Sequence, residues 1–341
     1  MSRKTRPRIE LKRLERLLDD FAQLRLLVVG DVVLDEYLWG DVDRISPEAP
    51  VPVMHVRGES VVLGGAGNVV RNVVALGARC GFASVVGEDP DGRRVEALLE
   101  ELGVGTAGVV RDPGRPTTRK TRVVARSQQI VRVDRETRQP LAPGVARGLL
   151  AATDSLLEGA DGVVLEDYGK GLLNRRLIRQ LMTRFEGAGV PVTVDPKEEL
   201  GPFRGAALLK PNLREAEKLT GIRVRERADL ERIARRLRTK VGDADLVITR
   251  GGEGMTLFQA GRPAADVPTV PQEVFDVQGA GDTTIAILTL ALRAGASLVE
   301  AAVLANAGAG VVVEKTGTAT ASRDEVRALL PAAIRAAGEG A

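Results

Sequence analysis

The chain has 341 residues, a formal net charge of +3 and a sequence pI near 9.2, with 44% hydrophobic and 28% charged residues. These values fit a soluble globular protein of one large or two modest domains. The single cysteine, Cys80, excludes an intramolecular disulfide, and the single histidine, His55, argues against catalytic triads and multi-histidine metal sites. With only 3% aromatic residues there is little to stack on bases, so nucleic-acid binding is disfavoured. No apolar run approaches the ~20 residues needed to cross a bilayer, and the N-terminus lacks the apolar core of a signal peptide. The expected location is the cytoplasm, with no membrane partner.

Residues 1–24 carry Leu11, Leu14, Leu17, Leu18 and Phe21 at helical spacing, which predicts a leader helix that packs on the body or on a second subunit. Leu26 to Val29 is an apolar run typical of a buried strand. Prolines at 47, 50 and 52 break helices, and the β-formers around them predict lid strands over about 37–57. GGAGNVVRNVVALG (64–77) reads as a glycine turn followed by a helix. TTRKTRVVARSQQIVRVD (117–134) predicts two further lid strands with basic side chains. Beyond about residue 145, apolar strands alternate with helical segments: Gly162 to Leu165, Val190 to Asp195, Ala206 to Leu209 and Leu246 to Thr249. That repetition predicts a mostly parallel sheet covered by helices on both faces. Gly251 to Gly254 then turns the chain into an antiparallel pair. Ser297 with Glu300 forms a capping box at the start of a late helix. The chain therefore reads as a single α/β domain over 25–330 with a small β lid, followed by a C-terminal tail over 331–341.

In open parallel sheets ligands bind beyond the carboxyl ends of the strands. Asp31 and Asp35 follow the first strand and Glu166, Asp167, Tyr168 and Lys170 the second. Asp195 and Lys197 follow the third, Lys210, Asn212 and Glu215 the fourth, and Thr249, Arg250 and Gly251 the fifth. Asp31, Asp35 and Asn68 have the chemistry to bind sugar hydroxyls, although a turn aspartate and a helix N-cap explain the same residues. Lys120, Arg122, Arg126 and Lys170 are candidates for a substrate phosphate, or else form a solvated basic strand face. Asn212 and Glu215 lie on one side of a helical turn, where they either organise Mg²⁺ through water or cap the helix.

FDVQGAGDTT (275–284) is the focus of the chain. Backbone N–H groups at Gly279, Ala280 and Gly281 can converge on an anion at a helix start, and Asp282 beside them is suited to take a proton from a hydroxyl attacking phosphorus. The plainer alternative is a tight turn with Asp282 as the N-cap. There is no Walker loop, no protein-kinase motif set, and no third glycine after Gly65-Ala66-Gly67, where Val70 stands.

On GGAGN with Gly77 and Gly87, and on DVQGAGD (276–282), the chain resembles the PfkB (ribokinase-like) carbohydrate kinases over about residues 25–325. RISPEAPVPV, RSQQIVRVD, EDYGKGLL and LKPNLREAE make it most similar to the bacterial heptose 7-phosphate kinases of lipopolysaccharide precursor synthesis. The resemblance implies a ribokinase-like fold and ATP-dependent phosphorylation of the C1 hydroxyl of D-glycero-β-D-manno-heptose 7-phosphate. It implies Asp282 as catalytic base and the amides of Gly279, Ala280 and Gly281 as anion hole. Asp31, Asp35, Gly64, Gly65, Asn68, Lys120, Arg122, Arg126, Gln128, Asp167 and Lys170 would face the sugar phosphate. Asn212, Leu213, Arg214, Glu215, Thr249, Arg250, Gly251, Gly254 and Asn306 would face ATP, with Glu215 reaching Mg²⁺ through water. Asp276 is a candidate ligand for a monovalent cation, K⁺. Lid strands in the family often pair between subunits, which implies a homodimer. Some heptose kinases carry a fused nucleotidyltransferase domain; a single-domain form is expected here. Three positions depart from the family: Gln278 replaces a threonine, Val70 a small residue, and Glu166 a serine. Two other readings are a PfkB kinase for another sugar phosphate or nucleoside, and a non-catalytic sugar-binding regulator on the same fold.

Overall fold

The apolar runs read as buried strands lie at the centre of a computed structural model, which describes residues 9–126, 128–270 and 273–339. The expectations for residues 1–8, Ser127 and 340–341 fall outside those residues. The chain begins with α1 (Leu11–Asp20), β1 (Arg25–Gly30), β2 (Val32–Ile45), β3 (Pro52–Gly65), α2 (Ala66–Ala75), β4 (Arg79–Gly87), α3 (Pro90–Glu101), β5 (Val109–Asp112), β6 (Arg119–Ala125) and β7 (Gln128–Arg135). It continues through α4 (Pro143–Leu157), β8 (Gly162–Glu166), α5 (Arg175–Gly187), β9 (Val192–Asp195), β10 (Leu208–Leu209), α6 (Leu213–Thr220), α7 (Arg227–Val241) and β11 (Asp245–Thr249). It closes with β12 (Met255–Phe258), β13 (Ala265–Val267), α8 (Ala280–Arg293), α9 (Leu298–Val313) and α10 (Arg323–Glu339).

Among the described residues, nine strands form one sheet in the order β13-β12-β11-β10-β9-β8-β1-β4-β5. All neighbours are parallel except β11–β12, where the glycine turn at 251–254 folds the chain back, and β12–β13. Strands buried on both faces lack polar alternation, which is why β1 and β8 read as continuous apolar runs. Val28 of β1 sits opposite Phe82 of β4 and Val164 of β8, all three fully buried. One apolar cluster joins one face of the sheet to α1, α2, α3, α8, α9 and α10, and a second joins the other face to α4, α5, α6 and α7. β4 and β5 are absent from the strands predicted above; β4 holds Gly81 and β5 is only four residues long, so neither carries a strong strand pattern.

β3, β2, β6 and β7 form a separate four-stranded lid. β2 pairs antiparallel with β3 and parallel with β6, setting Asp35 opposite Lys120 and Tyr37 opposite Arg122. The leader helix packs on its own chain: Leu14, Leu18 and Phe21 are fully buried, and Asp19 meets Arg327 of α10 at 2.6 Å. The tail expected from residue 331 is instead the second half of α10. Pro331 lies inside that helix, and the burial of Leu330 and Ala333 against the core holds the helix together across the proline. Among the described residues no helix is long and apolar enough to cross a membrane.

Candidate active site

The carboxyl ends of β8, β9, β10 and β11 share one cavity with the N-terminus of α8. This helix is apolar almost all round because it is enclosed by the sheet, α2 and α9. Its N-cap is Gly279, with φ 79°, a conformation that favours glycine; a Cβ there would stand 2.7 Å from Asn68 Nδ2. Asp282 is therefore the third helical residue and not the cap, which removes the plainer reading of this motif. Its carboxylate is 5% exposed and held on both oxygens. The Tyr168 phenol donates to Oδ1 at 2.6 Å and Asn68 Nδ2 donates to Oδ2 at 2.8 Å. Asn68 is not a cap either, since Gly65 holds the N-cap of α2. Arg71, one turn further along α2, donates to Asn68 Oδ1 at 3.1 Å and so fixes which end of the amide faces Asp282. Burial pushes the Asp282 carboxyl up to about 6, against the opposing pull of the Tyr168 and Asn68 hydrogen bonds and of Lys210. Asp282 is then still largely ionised at neutral pH.

The strand ends place Glu166, Asp195 and Lys210 behind Asp282. Lys210 is 2% exposed and meets Asp195 at 2.6 Å. Burial alone would lower its ammonium, but Asp195 and Glu166 outweigh that and hold it above its ordinary value. Burial, then Asp195 and Asp282, push Glu166 well above the usual carboxylate range. Its buried Oε2 has no hydrogen-bond partner among the described residues. Lys197 reaches Glu215 at 2.7 Å, and Asn212 and Glu215 form a reciprocal capping box at α6. These groups line a cavity of about 610 Å³ with Asp167, Thr249, Gly251, Gly254, Gly279 to Asp282 and Asn306. Five carboxyl groups, Glu166, Asp167, Asp195, Glu215 and Asp282, face two ammonium groups there, Lys197 and Lys210. A lining rich in carboxyl oxygens, with Glu166 Oε2 left without a partner, fits a hydrated Mg²⁺. No group of three or more His, Cys, Asp or Glu side chains among the described residues is arranged to hold a metal directly.

On the lid side, Asp35 is 5% exposed and accepts from Arg122 at 2.5 Å. Its side chain lies over Gly64, where any Cβ would overlap the carboxylate. The guanidinium of Arg122 stacks 5.2 Å from the centroid of the Tyr37 ring, and its buried Nε has no hydrogen-bond partner among the described residues. Tyr37 donates to Gln278 Oε1 at 3.1 Å and receives the Thr318 N–H at 3.1 Å. Gln278, unexplained by the sequence, thus ties lid strand β2 to the loop that carries Gly279.

Several expected contacts take other forms. Asp31 accepts three backbone N–H groups, from Tyr168, Lys170 and Leu172, at 3.1–3.2 Å, so its carboxylate anchors that loop and does not present itself to a ligand. Asp167 lines the cavity but likewise receives Gly169 N–H at 2.8 Å, and burial followed by Asp31 pushes it up to about 7. Arg126 and Gln128 stand exposed at the β6–β7 turn, beyond the Gly40–Ala125 pair at the lid tip, and are not brought to Asp282. Leu213 packs into the core, Arg214 is exposed, and Arg250 is turned to Glu253 at 2.8 Å; none of the three lines the cavity. Asn306 lines it while donating to the Val267 and Pro268 carbonyls at 3.1 and 2.7 Å. The Asp276 carboxylate accepts the N–H groups of Gln278 at 2.9 Å and Gly317 at 3.1 Å, bridging two loops. Tyr168, Asp195, Glu166 and Lys210 were legible as strand-end residues but not as neighbours of Asp282. Arg71 was missed, although its i, i+3 spacing from Asn68 was the available signal.

Residues 23–325 match the pfkB family carbohydrate kinases. The chain is 46% identical over 319 residues to "Bifunctional protein HldE" of Geobacter metallireducens, covering 93% of this chain and 65% of that protein. It is 44% identical over 319 residues to the protein of the same name from Trichlorobacter lovleyi, with the same coverage. The chain thus spans about 65% of the length of these curated relatives. Among solved structures, Arabidopsis thaliana ribokinase complexed with ribose and ATP aligns with a TM-score of 0.71 at 22% identity, over 90% of this chain and 98% of that one. Escherichia coli phosphofructokinase-2 in complex with potassium aligns with a TM-score of 0.74 at 20% identity, over 91% and 99%. These two show a shared ribokinase-like fold. With the match extending over most of the sequence, the chain belongs to the pfkB family of carbohydrate kinases, phosphotransferases that act on sugars.

Proposed function

We propose that the chain transfers the γ-phosphoryl group of ATP to the C1 hydroxyl of D-glycero-β-D-manno-heptose 7-phosphate, giving the 1,7-bisphosphate for lipopolysaccharide precursor synthesis. The observation that carries this reading is Asp282: a buried carboxylate at the start of α8, held on both oxygens, between the acid-lined cavity and the lid. The similarity to the HldE proteins supports the choice of sugar.

Phosphoryl transfer needs positioning and charge stabilisation more than covalent help. In this reading Asp282 orients the C1 hydroxyl and takes its proton late in transfer. The first amides of α8, at Gly279, Ala280 and Gly281, receive the transferring phosphoryl group. ATP occupies the cavity between Asn212, Glu215, Thr249, Gly251 and Gly254. Mg²⁺, held through water by Glu215 and its acidic neighbours, supplies neutralisation of triphosphate charge. Asp35 and Asn68 engage the sugar ring, and the lid closes over it to exclude water. The unpartnered Nε of Arg122 is a donor already desolvated for an acceptor oxygen.

One observation favours a different acceptor on the same machinery. Three of the four cations expected for the 7-phosphate already carry acid partners: Lys120 meets Asp134 at 3.1 Å and Glu136 at 3.5 Å, Lys170 meets Glu136 at 2.6 Å, and Arg122 meets Asp35 at 2.5 Å. A substrate phosphate must displace those carboxylates, whereas a neutral sugar or nucleoside need not. A coupled ADP-release assay across sugar phosphates, free sugars and nucleosides separates the two. Preference for the heptose 7-phosphate supports the main reading, and equal or better turnover of an unphosphorylated acceptor contradicts it.

The lid leaves Ile45, Val51, Val56, Ile130, Val131 and Val133 exposed at 43–61%, a patch suited to burial against the lid of a second copy. A homodimer is expected by light scattering at micromolar concentration, and a monomer throughout would contradict it.

A further inference from the structure

The reading of Asp282 as base leaves open what fixes its carboxylate, and the 168–172 loop holds a group that the reaction itself does not require. Tyr168 follows β8 by two residues and its phenol makes a 2.6 Å hydrogen bond to Asp282 Oδ1. Its backbone is not free to drift: Tyr168 N–H and Lys170 N–H both donate to Asp31 Oδ2 at 3.1 Å, and Leu172 N–H donates to Asp31 Oδ1 at 3.2 Å. Gly169 and Gly171, at φ 66° and 88°, give the loop the left-handed turns that direct these N–H groups toward one carboxylate. Asp31 is 4% exposed, so it meets this loop and not solvent.

We propose that Tyr168 is a positioning residue for phosphoryl transfer: anchored through its loop by Asp31, it holds one oxygen of Asp282 while Asn68 holds the other, fixing the carboxylate in a single orientation toward the acceptor hydroxyl. The proposal rests on the assignment of Asp282 as base. Two donors from different elements, β8's loop and α2, constrain both the rotation and the tilt of the carboxylate, which one donor cannot do. The phenol also offsets an unfavourable setting. Asp282 is faced by Glu166 and Tyr168 from β8 and its loop, Asp195 from β9, Lys210 from β10, and Asn68 and Arg71 from α2. Among these Lys210 and Arg71 are the cations, and the hydrogen bond from Tyr168 favours the ionised carboxylate. Tyr168 itself stays protonated, because burial and then Asp282 push its phenol well above its ordinary value.

The test compares wild type, Tyr168→Phe and Asp31→Asn by NMR titration of ¹³C-labelled aspartate carboxylates, with Asp282→Asn identifying the Asp282 resonance, alongside steady-state kinetics. The expected result for Tyr168→Phe is an Asp282 titration moved up by about one pH unit, with kcat lowered ~10-fold or more and the KM for ATP unchanged. Asp31→Asn is expected to move the same resonance in the same direction, and the double variant to lose no more activity than the worse single one, as for residues acting through one contact. If Tyr168→Phe folds and the Asp282 titration stays put, or if the two losses multiply, the proposal is overturned. Should Tyr168→Phe fail to fold, an unmoved resonance in Asp31→Asn overturns it equally. Absence of turnover in the wild type would instead overturn the kinase reading, and the titration would still report whether Tyr168 holds Asp282.

Discussion

Asp282→Asn is expected to fold, to bind ATP and the sugar phosphate, and to lower turnover by ~10²-fold or more. The substitution is isosteric, and the amide keeps an acceptor for one of its two donors, Tyr168 or Asn68, so the N-terminal turn of α8 stays in place. What it loses is the capacity to accept a proton. The measurement is kcat and KM from ADP release, with calorimetric ATP binding as the check on folding; near-normal turnover would remove Asp282 as base. The same assignment fixes the sign of the pH dependence. A base must be ionised, and burial raises the Asp282 carboxyl to about 6, so kcat/KM of the wild type should fall as the pH drops through that region. A base with an ordinary carboxylate pKa would hold its activity about two units lower.

Lys210→Met should produce the largest loss of stability. The ammonium is 2% exposed, meets Asp195 at 2.6 Å and balances Glu166 nearby. Removing one partner of a buried ion pair leaves an uncompensated charge, at a cost of about 3–5 kcal/mol. The cost depends on pH in a defined direction. Without the lysine, Asp195 and Glu166 have folded-state pKa values raised still further above their unfolded values, so the folded state binds the extra protons. The variant's deficit against wild type must therefore grow as the pH rises from about 5 to 8 and shrink as it falls. Thermal unfolding of both proteins at the two pH values measures this. A deficit independent of pH would mean that Lys210 acts through packing alone.

The parallel sheet was readable because its central strands are buried on both faces and flanked by helices, so burial alone writes them into the sequence. The address of the site was readable too, since each strand from β8 to β11 ends in polar residues that face one helix terminus. Side-chain pairing across distant segments was not. Nothing local says that Asp31 will spend its carboxylate on the Tyr168–Leu172 backbone, or that Lys120 and Lys170 will be neutralised by Asp134 and Glu136. Arg126 and Gln128 look like their neighbours in sequence, and only the register of β6 against β2 moves them to the lid tip. Pro331 signals a helix end by its own chemistry, and tertiary packing of Leu330 and Ala333 overrides it. Gln278 finds its partner Tyr37 241 residues away on the lid.

The most direct measurement is ³¹P NMR of the products formed when the purified chain is incubated with ATP, Mg²⁺ and D-glycero-β-D-manno-heptose 7-phosphate, with Asp282→Asn as control. The expected result is a new phosphate resonance coupled to the anomeric proton, with the 7-phosphate signal retained, and its near absence in the variant. Release of inorganic phosphate alone, or phosphorylation at a carbon other than C1, would contradict the proposed reaction.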